Sequence, residues 1–235
     1  MKTFEDYIVQ HENVIDLDLC NQIIEKFDTD DRTYDGISGA GEDPSIKISK
    51  DLGISGLEDW KSIDDQLFEN TTSYFSDYLN NYLEYTNNNS PNMFHDLGYQ
   101  VQKTTPGGHY AWHHDYMSNP LMNTIYRDSS GFVNQWVQSR IYTFILYLND
   151  RTDEADNGRT QFYNCGVSKS IVPKAGKLLL FPANPFWVHR GEPLTTGVKY
   201  LITGWCCGYS PYRLGRADRA HMDTLQSYIR EESTL

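Results

Sequence analysis

Within Tyr110-Ala111-Trp112-His113-His114-Asp115, two imidazoles and a carboxylate occupy three consecutive positions. In a strand, alternate side chains share a face, so His113 and Asp115 would project to one side and His114 to the other. One nitrogen and one oxygen ligand then meet at a point. His-x-Asp alone is a weak signal, because three-residue patterns often arise by chance, and His109 or His114 could supply the nitrogen instead. A third ligand must come from elsewhere. His189 is the best-placed candidate, in Phe186-Trp187-Val188-His189-Arg190-Gly191 after the apolar stretch ending at Phe181-Pro182; taken singly it could be a core histidine. Two histidines and one carboxylate on one face of a metal leave three positions open, which suits non-haem Fe(II) oxygen chemistry. The expected catalytic and metal-binding set is therefore His113, Asp115 and His189.

Lys199 follows His189 by ten residues, across the turn-like Gly191-Glu192-Pro193-Leu194-Thr195-Thr196-Gly197, and opens the stretch Lys199-Tyr200-Leu201-Ile202-Thr203-Gly204-Trp205. A lysine starting an apolar strand ordinarily faces solvent. Pointing inward, it must find an anion, since burying an unpaired ammonium is costly. A dicarboxylate whose other end chelates the metal supplies one, and beside the triad this inward pairing is the better reading. A zinc hydrolase on the same triad has no evident need for Lys199.

The elements that must position these residues fall in three zones of a single domain, 1–235. Residues 1–95 read as a mostly helical support region. Asp16 is a plausible N-cap, with Leu19, Ile23 and Phe27 following at helical spacing. Trp60, Ile63, Leu67, Thr71, Tyr74, Tyr78 and Tyr82 mark one face of a longer helix. Residues 96–208 change to a strand-like period, with short segments at 98–102, 141–148, 177–181 and 200–206. Turn residues separate them: Pro106-Gly107-Gly108, Asn157-Gly158, Lys174-Ala175-Gly176 and Pro193 to Gly197. Many short strands at this spacing indicate a sandwich or closed barrel. Residues 209–235 read as a helical tail carrying Met222, Leu225 and Ile229. The segments 116–138 (with Met117, Tyr126, Phe132 and Trp136) and 31–51 are candidate substrate lids.

A formal charge of −12 opposes broad contact with nucleic-acid backbone, which needs a positive face. No apolar run approaches the ~20 residues that cross a bilayer, and the acidic start MKTFEDYIVQHENV lacks the apolar stretch of a signal peptide. Cys20, Cys165, Cys206 and Cys207 show no metal-type spacing and read as reduced, small hydrophobic residues. The expectation is a cytoplasmic protein with no nucleic-acid or membrane partner.

The chain resembles the 2-oxoglutarate- and Fe(II)-dependent dioxygenases, most nearly their prolyl 4-hydroxylase branch. His113-His114-Asp115 fits the His-x-Asp signature, and the segment from Arg140 to Asn149 resembles the strand ending in Tyr-Leu-Asn. Asn157-Gly158-Arg159-Thr160-Gln161-Phe162 fits the Gly-x-Thr-x-Phe element, with Asn157 where a second Gly is usual. His189-Arg190-Gly191-Glu192-Pro193, then Gly197, Lys199 and Trp205, resembles the distal-histidine segment. The likeness covers roughly residues 97–207. It implies a mainly β fold, a double-stranded β-helix (jelly roll) with helices packed on one sheet. It also implies iron on His113, Asp115 and His189, and the C5 carboxylate of 2-oxoglutarate on Lys199. Tyr147 and Thr160 would shape the co-substrate pocket. The branch often places a Tyr about ten residues before the first ligand; here Lys103 stands there, and Tyr99 or Tyr110 could substitute. The implied reaction uses Fe(II), 2-oxoglutarate and O2, with ascorbate as a reductant, to hydroxylate an unactivated C–H bond while 2-oxoglutarate becomes succinate and CO2. A prolyl residue of a peptide or protein is the implied substrate; a free amino acid or small metabolite, or a non-catalytic jelly-roll binding module, are the alternatives.

Overall fold

In the computed structural model Asp16 opens helix α1 (Leu17–Asp28), its Oδ1 accepting from the Leu19 N–H at 2.8 Å, which satisfies a donor that the first turn would otherwise leave bare. Leu19, Cys20, Ile23 and Phe27 form its buried stripe. Backbone is described for residues 2–39, 41–81, 94–116, 118–127, 132–152 and 154–216, and side chains for 2–39, 41–81, 97–116, 140–152 and 154–207. Helix α2 (Lys61–Asn81) buries Ile63, Leu67, Thr71, Phe75 and Tyr78. The stripe thus runs through Phe75 where Tyr74 was expected. Tyr74 is only partly buried, against His11 at 4.6 Å between ring centroids, and Tyr82 lies outside the described residues.

The strands in chain order are β1 (Val9–His11), β2 (Tyr34–Asp35), β3 (Lys47–Ile48), β4 (Lys50–Gly53), β5 (Phe94–Asp96), β6 (Gln100–Thr104), β7 (His109–His113), β8 (Ser118–Arg127), β9 (Phe132–Tyr147), β10 (Thr160–Asn164), β11 (Val167–Ile171), β12 (Leu178–Pro182), β13 (Val188–Gly191) and β14 (Lys199–Arg216). One sheet runs β1-β12-β9-β14-β6-β4-β2, with β5 beside β14 and β8 beside β9; the other runs β11-β10-β13-β7-β3. Apart from the sequential pairs β8–β9 and β10–β11, neighbouring strands are not consecutive in sequence, as in a jelly roll. Region 1–95 is therefore more than helical support: β1 to β4 extend both sheets.

Contacts divide the chain into two compact units. The unit of Met1–Tyr116 and Arg140–Cys207 contains both helices and the whole smaller sheet. In its larger sheet, strand alternation sends two sets of side chains to two cores. Phe144, Leu146, Leu148, Leu178, Leu180, Tyr200 and Ile202 join the helices' core, with Ile23, Phe27, Trp60 and Leu67. Ile145, Tyr147, Leu179, Phe181 and Leu201 face the other way and pack with Phe162 of the smaller sheet. The unit of Met117–Ser139 and Gly208–Leu235 contains β8 paired antiparallel with the start of β9, from Ser118↔Ser139 to Arg127↔Val133. Most of the expected lid at 116–138 is thus hairpin backbone, and the side chains of Met117, Tyr126, Phe132 and Trp136 lie outside the described residues. Strand β14 continues to Arg216, past position 209 where a helix was expected. Gly208 and Pro211 both disfavour a helix there. Met222, Leu225 and Ile229 lie outside the described residues. All four cysteines are free thiols, but Cys165 departs from the expectation of a small hydrophobic residue: it is exposed, at φ 48° in the turn between β10 and β11.

Candidate metal centre

His113 and His189 are direct partners across the antiparallel pair β7–β13, which brings their rings to 4.2 Å between centroids. Asp115 follows two residues after His113, beyond the strand end, and returns to the same side. Its Oδ1 lies 3.6 Å from His113 Nε2 and its Oδ2 3.5 Å from His189 Nε2. Ligand atoms of the three residues lie within 4.8 Å of one another, and His189 and Asp115 are buried. Donors at about 2.0–2.2 Å from one ion would need only small adjustments from these separations. His114 is exposed, and His109 Nε2 is engaged with the Ser45 carbonyl at 3.3 Å, so neither belongs to this cluster.

Each imidazole is oriented by the backbone carbonyl two residues before it. His113 Nδ1 lies 2.8 Å from the Ala111 carbonyl, and His189 Nδ1 3.1 Å from the Trp187 carbonyl. A carbonyl only accepts, so each Nδ1 carries the proton and each Nε2 presents a lone pair to the shared point. Burial, reinforced by neighbouring His189, pushes His113 down to about 4 against the opposing pull of Asp115. The ring is therefore neutral near pH 7, the form that binds metal. Burial alone would raise Asp115, but His189, His113 and the Thr143 hydroxyl outweigh it and hold the carboxyl below its usual range.

Thr143 donates to Asp115 Oδ2 at 2.6 Å, a contact that sequence reasoning missed. The available signal was one β-branched hydroxyl inside the apolar stretch 141–148, since a buried hydroxyl needs a partner. Arg140 was also passed over. Its guanidinium lies 3.5 Å from the centroid of the Trp205 ring, and its Nη1 reaches the Asp115 carbonyl at 3.5 Å.

Lys199 shares its strand face with Leu201 and Thr203, so it points into the barrel and is 4 % exposed. Its Nζ donates to the Gly158 carbonyl at 3.0 Å. The nearby Glu192 carboxylate is engaged by the Arg159 fork at 2.9 and 2.8 Å and by Gln161 at 3.2 Å. Burial, with Arg151 adding to it and Glu192 opposing, brings Lys199 down to about 8. Tyr147 donates to Thr160 Oγ1 at 2.6 Å, both residues buried, and burial raises the Tyr147 phenol well above its ordinary value. Tyr110 stacks on His113 at 3.6 Å and 16°, and burial pushes its phenol up to about 12. Tyr99 instead faces the helices, its hydroxyl 3.1 Å from that of Thr71. A β-bulge is responsible for the placement of Tyr110. Two steps along β13, from His189 to Gly191, match three along β7, from His113 to Tyr110, so two side chains that strict alternation would separate face the same way.

The donor set fits a divalent transition metal with open positions, because it offers two neutral nitrogens and a fixed carboxylate at one point. The buried ammonium, with one carbonyl as its hydrogen-bond partner among the described residues, fits the far end of a dianion.

A protein-family model described as the 2OG-Fe(II) oxygenase superfamily matches residues 99–207. A protein of Acanthamoeba polyphaga mimivirus named as a candidate prolyl 4-hydroxylase is 26% identical over 201 residues, covering 82% of this chain and 71% of that one. Among solved structures, a Pseudomonas putida prolyl-4-hydroxylase aligns with TM-score 0.60 at 18% identity over 85% of this chain and 91% of its own. A Trichoplax adhaerens prolyl hydroxylase, solved with a hypoxia inducible factor peptide, aligns with TM-score 0.58 at 19% identity over 85% and 83%. At these identities the solved structures establish the jelly-roll fold.

Proposed function

We propose that this chain, matched over residues 99–207 by the 2OG-Fe(II) oxygenase superfamily model, is a dioxygenase of that superfamily and hydroxylates a prolyl residue of a peptide or protein. The dioxygenase chemistry, with Fe(II), 2-oxoglutarate and O2, goes with the family; the prolyl substrate is supported by the mimivirus relative and by the peptide-bound Trichoplax neighbour. One observation carries the reading: Lys199 is turned into the same barrel as His113, Asp115 and His189, buried, with only the Gly158 carbonyl to accept its hydrogen bond among the described residues.

In this reading His113, Asp115 and His189 would hold the iron. When bound, iron and 2-oxoglutarate supply with O2 an oxidant for an unactivated C–H bond, leaving succinate and CO2. The chain's own residues bind, orient and exclude water. Lys199 would neutralise the far carboxylate of 2-oxoglutarate, a charge-assisted contact in a desolvated site. The Tyr147–Thr160 hydroxyl pair would present a fixed donor and acceptor to the same end of the pocket. Tyr110 would wall the pocket beside the metal. Thr143 fixes Asp115, so the carboxylate enters the site in one orientation. Ascorbate as reductant belongs to the same reading. So does a cytoplasmic location, supported by four thiols outside any disulfide.

The test begins without oxygen. Fe(II) and 2-oxoglutarate added together should give a weak visible charge-transfer band, which a non-catalytic binding module would lack. With air and ascorbate, proline-containing peptides should accelerate succinate release and gain one oxygen atom by mass. If no prolyl peptide does so while a free amino acid or another metabolite does, the substrate assignment is overturned.

A further inference from the structure

Next to the candidate site a second charged pair is buried for which the chemistry above has no use. Lys47 Nζ and Asp51 Oδ2 lie 2.5 Å apart, their side chains 5% and 0% exposed. Ser49 donates to Asp51 Oδ1 at 2.8 Å. The pair crosses a seam: Lys47 is on β3 in the smaller sheet, Asp51 on β4 in the larger one, and only Ser49 separates the two strands. Gly36 packs directly over it. A Cβ there would stand 2.9 Å from Lys47 Cε and would collide with Ser49 Oγ.

Such a pair is a poor source of stability, since replacing it with apolar residues of similar volume is often neutral or stabilising. Its placement suggests another role. Lys47 is the direct cross-strand partner of Tyr110, and its ammonium lies 5.1 Å from the centroid of that ring, within cation–π range. Tyr110 in turn stacks on His113. A Cβ added at Gly191 would meet Tyr110 Cβ at 3.4 Å and Lys199 Nζ at 3.7 Å, so Tyr110 borders both the metal end and the lysine end of the pocket.

Resting on the oxygenase reading, we infer that the Lys47–Asp51 pair is a positioning brace, which holds the Tyr110 ring against His113 and so shapes the 2-oxoglutarate pocket. Asp51 fixes the ammonium, the ammonium fixes the ring, and the ring limits how far His113 and the co-substrate can shift. Lys47 acts through Tyr110 and needs no contact with substrate.

The experiment compares wild type, Lys47→Arg, Tyr110→Leu, the apolar replacement Lys47→Met/Asp51→Leu, and that replacement combined with Tyr110→Leu. Each is titrated anaerobically with 2-oxoglutarate in the presence of Fe(II), following the charge-transfer band, and melted in parallel. The apolar replacement should keep its melting temperature, weaken 2-oxoglutarate binding by roughly 10-fold, as loss of an outer partner at a metal site does, and shift the band. Lys47→Arg should restore both. In the Tyr110→Leu background the apolar replacement should have no further effect, because the ring through which it acts is gone. If the apolar replacement misfolds, Lys47→Gln, which keeps a donor to Asp51, is read by the same criteria. Unchanged affinity and band position, or effects that add independently to those of Tyr110→Leu, would overturn the brace. Absence of a band in wild type would overturn the oxygenase reading instead.

Discussion

Burial, and then Arg151, disfavours the charge of Lys199 and brings it down to about 8 from the ordinary 10.5 of an exposed lysine. For stability the sign is fixed. Between those two values the unfolded chain holds a proton that the folded chain lacks, so this residue's burden on the ligand-free fold is complete below pH 8 and fades as pH rises toward 10.5. For co-substrate binding the sign reverses, since a carboxylate needs the ammonium. The dissociation constant of 2-oxoglutarate should therefore rise as pH climbs past 8, by up to about tenfold per unit. Anaerobic titrations from about pH 7 to about pH 9, repeated with Lys199→Met, check this. A flat profile in the wild type, together with equally tight binding by Lys199→Met, would show that Lys199 is not the carboxylate's partner. Thr143 works on the same scale but on the metal side: its hydroxyl occupies one Asp115 oxygen and so limits how the carboxylate can turn.

Strand β9 illustrates what an element adds to a residue. Odd positions Thr143, Ile145 and Tyr147 face the barrel interior, while Phe144, Leu146 and Leu148 face the helices. A slip of one residue would exchange the two sets and remove Thr143 from Asp115. Close approach to β14 helps hold that register. At Gly204 an added Cβ would collide with Phe144 Cζ and stand 2.5 Å from the Gly98 carbonyl. Gly204→Ala should therefore destabilise the protein by about 1–3 kcal/mol, as overpacking does, measurable as a lower denaturant midpoint. A stability equal to wild type would mean that β14 can move away from β9 without cost. The bulge in β7 is the other device at this scale, since it alone lets Tyr110 and His113 share a face.

Across the whole first unit, the two cores have separate tasks. The helix-side core, with Ile23, Phe27, Trp60 and Leu67 against the larger sheet, supplies most of the buried apolar side chains; the smaller interior core around Phe162 and Phe181 borders the site. Phe181 lies 4.7 Å from His189 between ring centroids. Leu67→Ala should cost about 2–5 kcal/mol of stability while leaving the anaerobic 2-oxoglutarate affinity of the folded fraction unchanged. An affinity loss matching the stability loss would mean that the helices also tune the site. No described helix is long and apolar enough to cross a membrane.

Much of this was legible in the residues. His113 and Asp115 were readable because a two-residue spacing puts both on one face of an extended chain. The turns were readable because Gly107, Gly158, Gly176 and Gly197 all take positive φ, which glycine adopts without strain. Helix α1 was marked by its cap and period. What the linear order left open was every relation between distant strands. Lys199 shares a face with Leu201 in any extended chain, but whether that face turns inward or to the helices was open until β14 took its place between β6 and β9. Tyr110 defeats simple alternation because a bulge is a property of two strands paired together, invisible in either one. The Thr143–Asp115 bond, the Lys47–Asp51 pair and the meeting of His189 with His113 likewise exist only across strands. Local spacing follows from covalent geometry; register and facing follow from which hydrogen-bonded neighbour the folded sheet supplies.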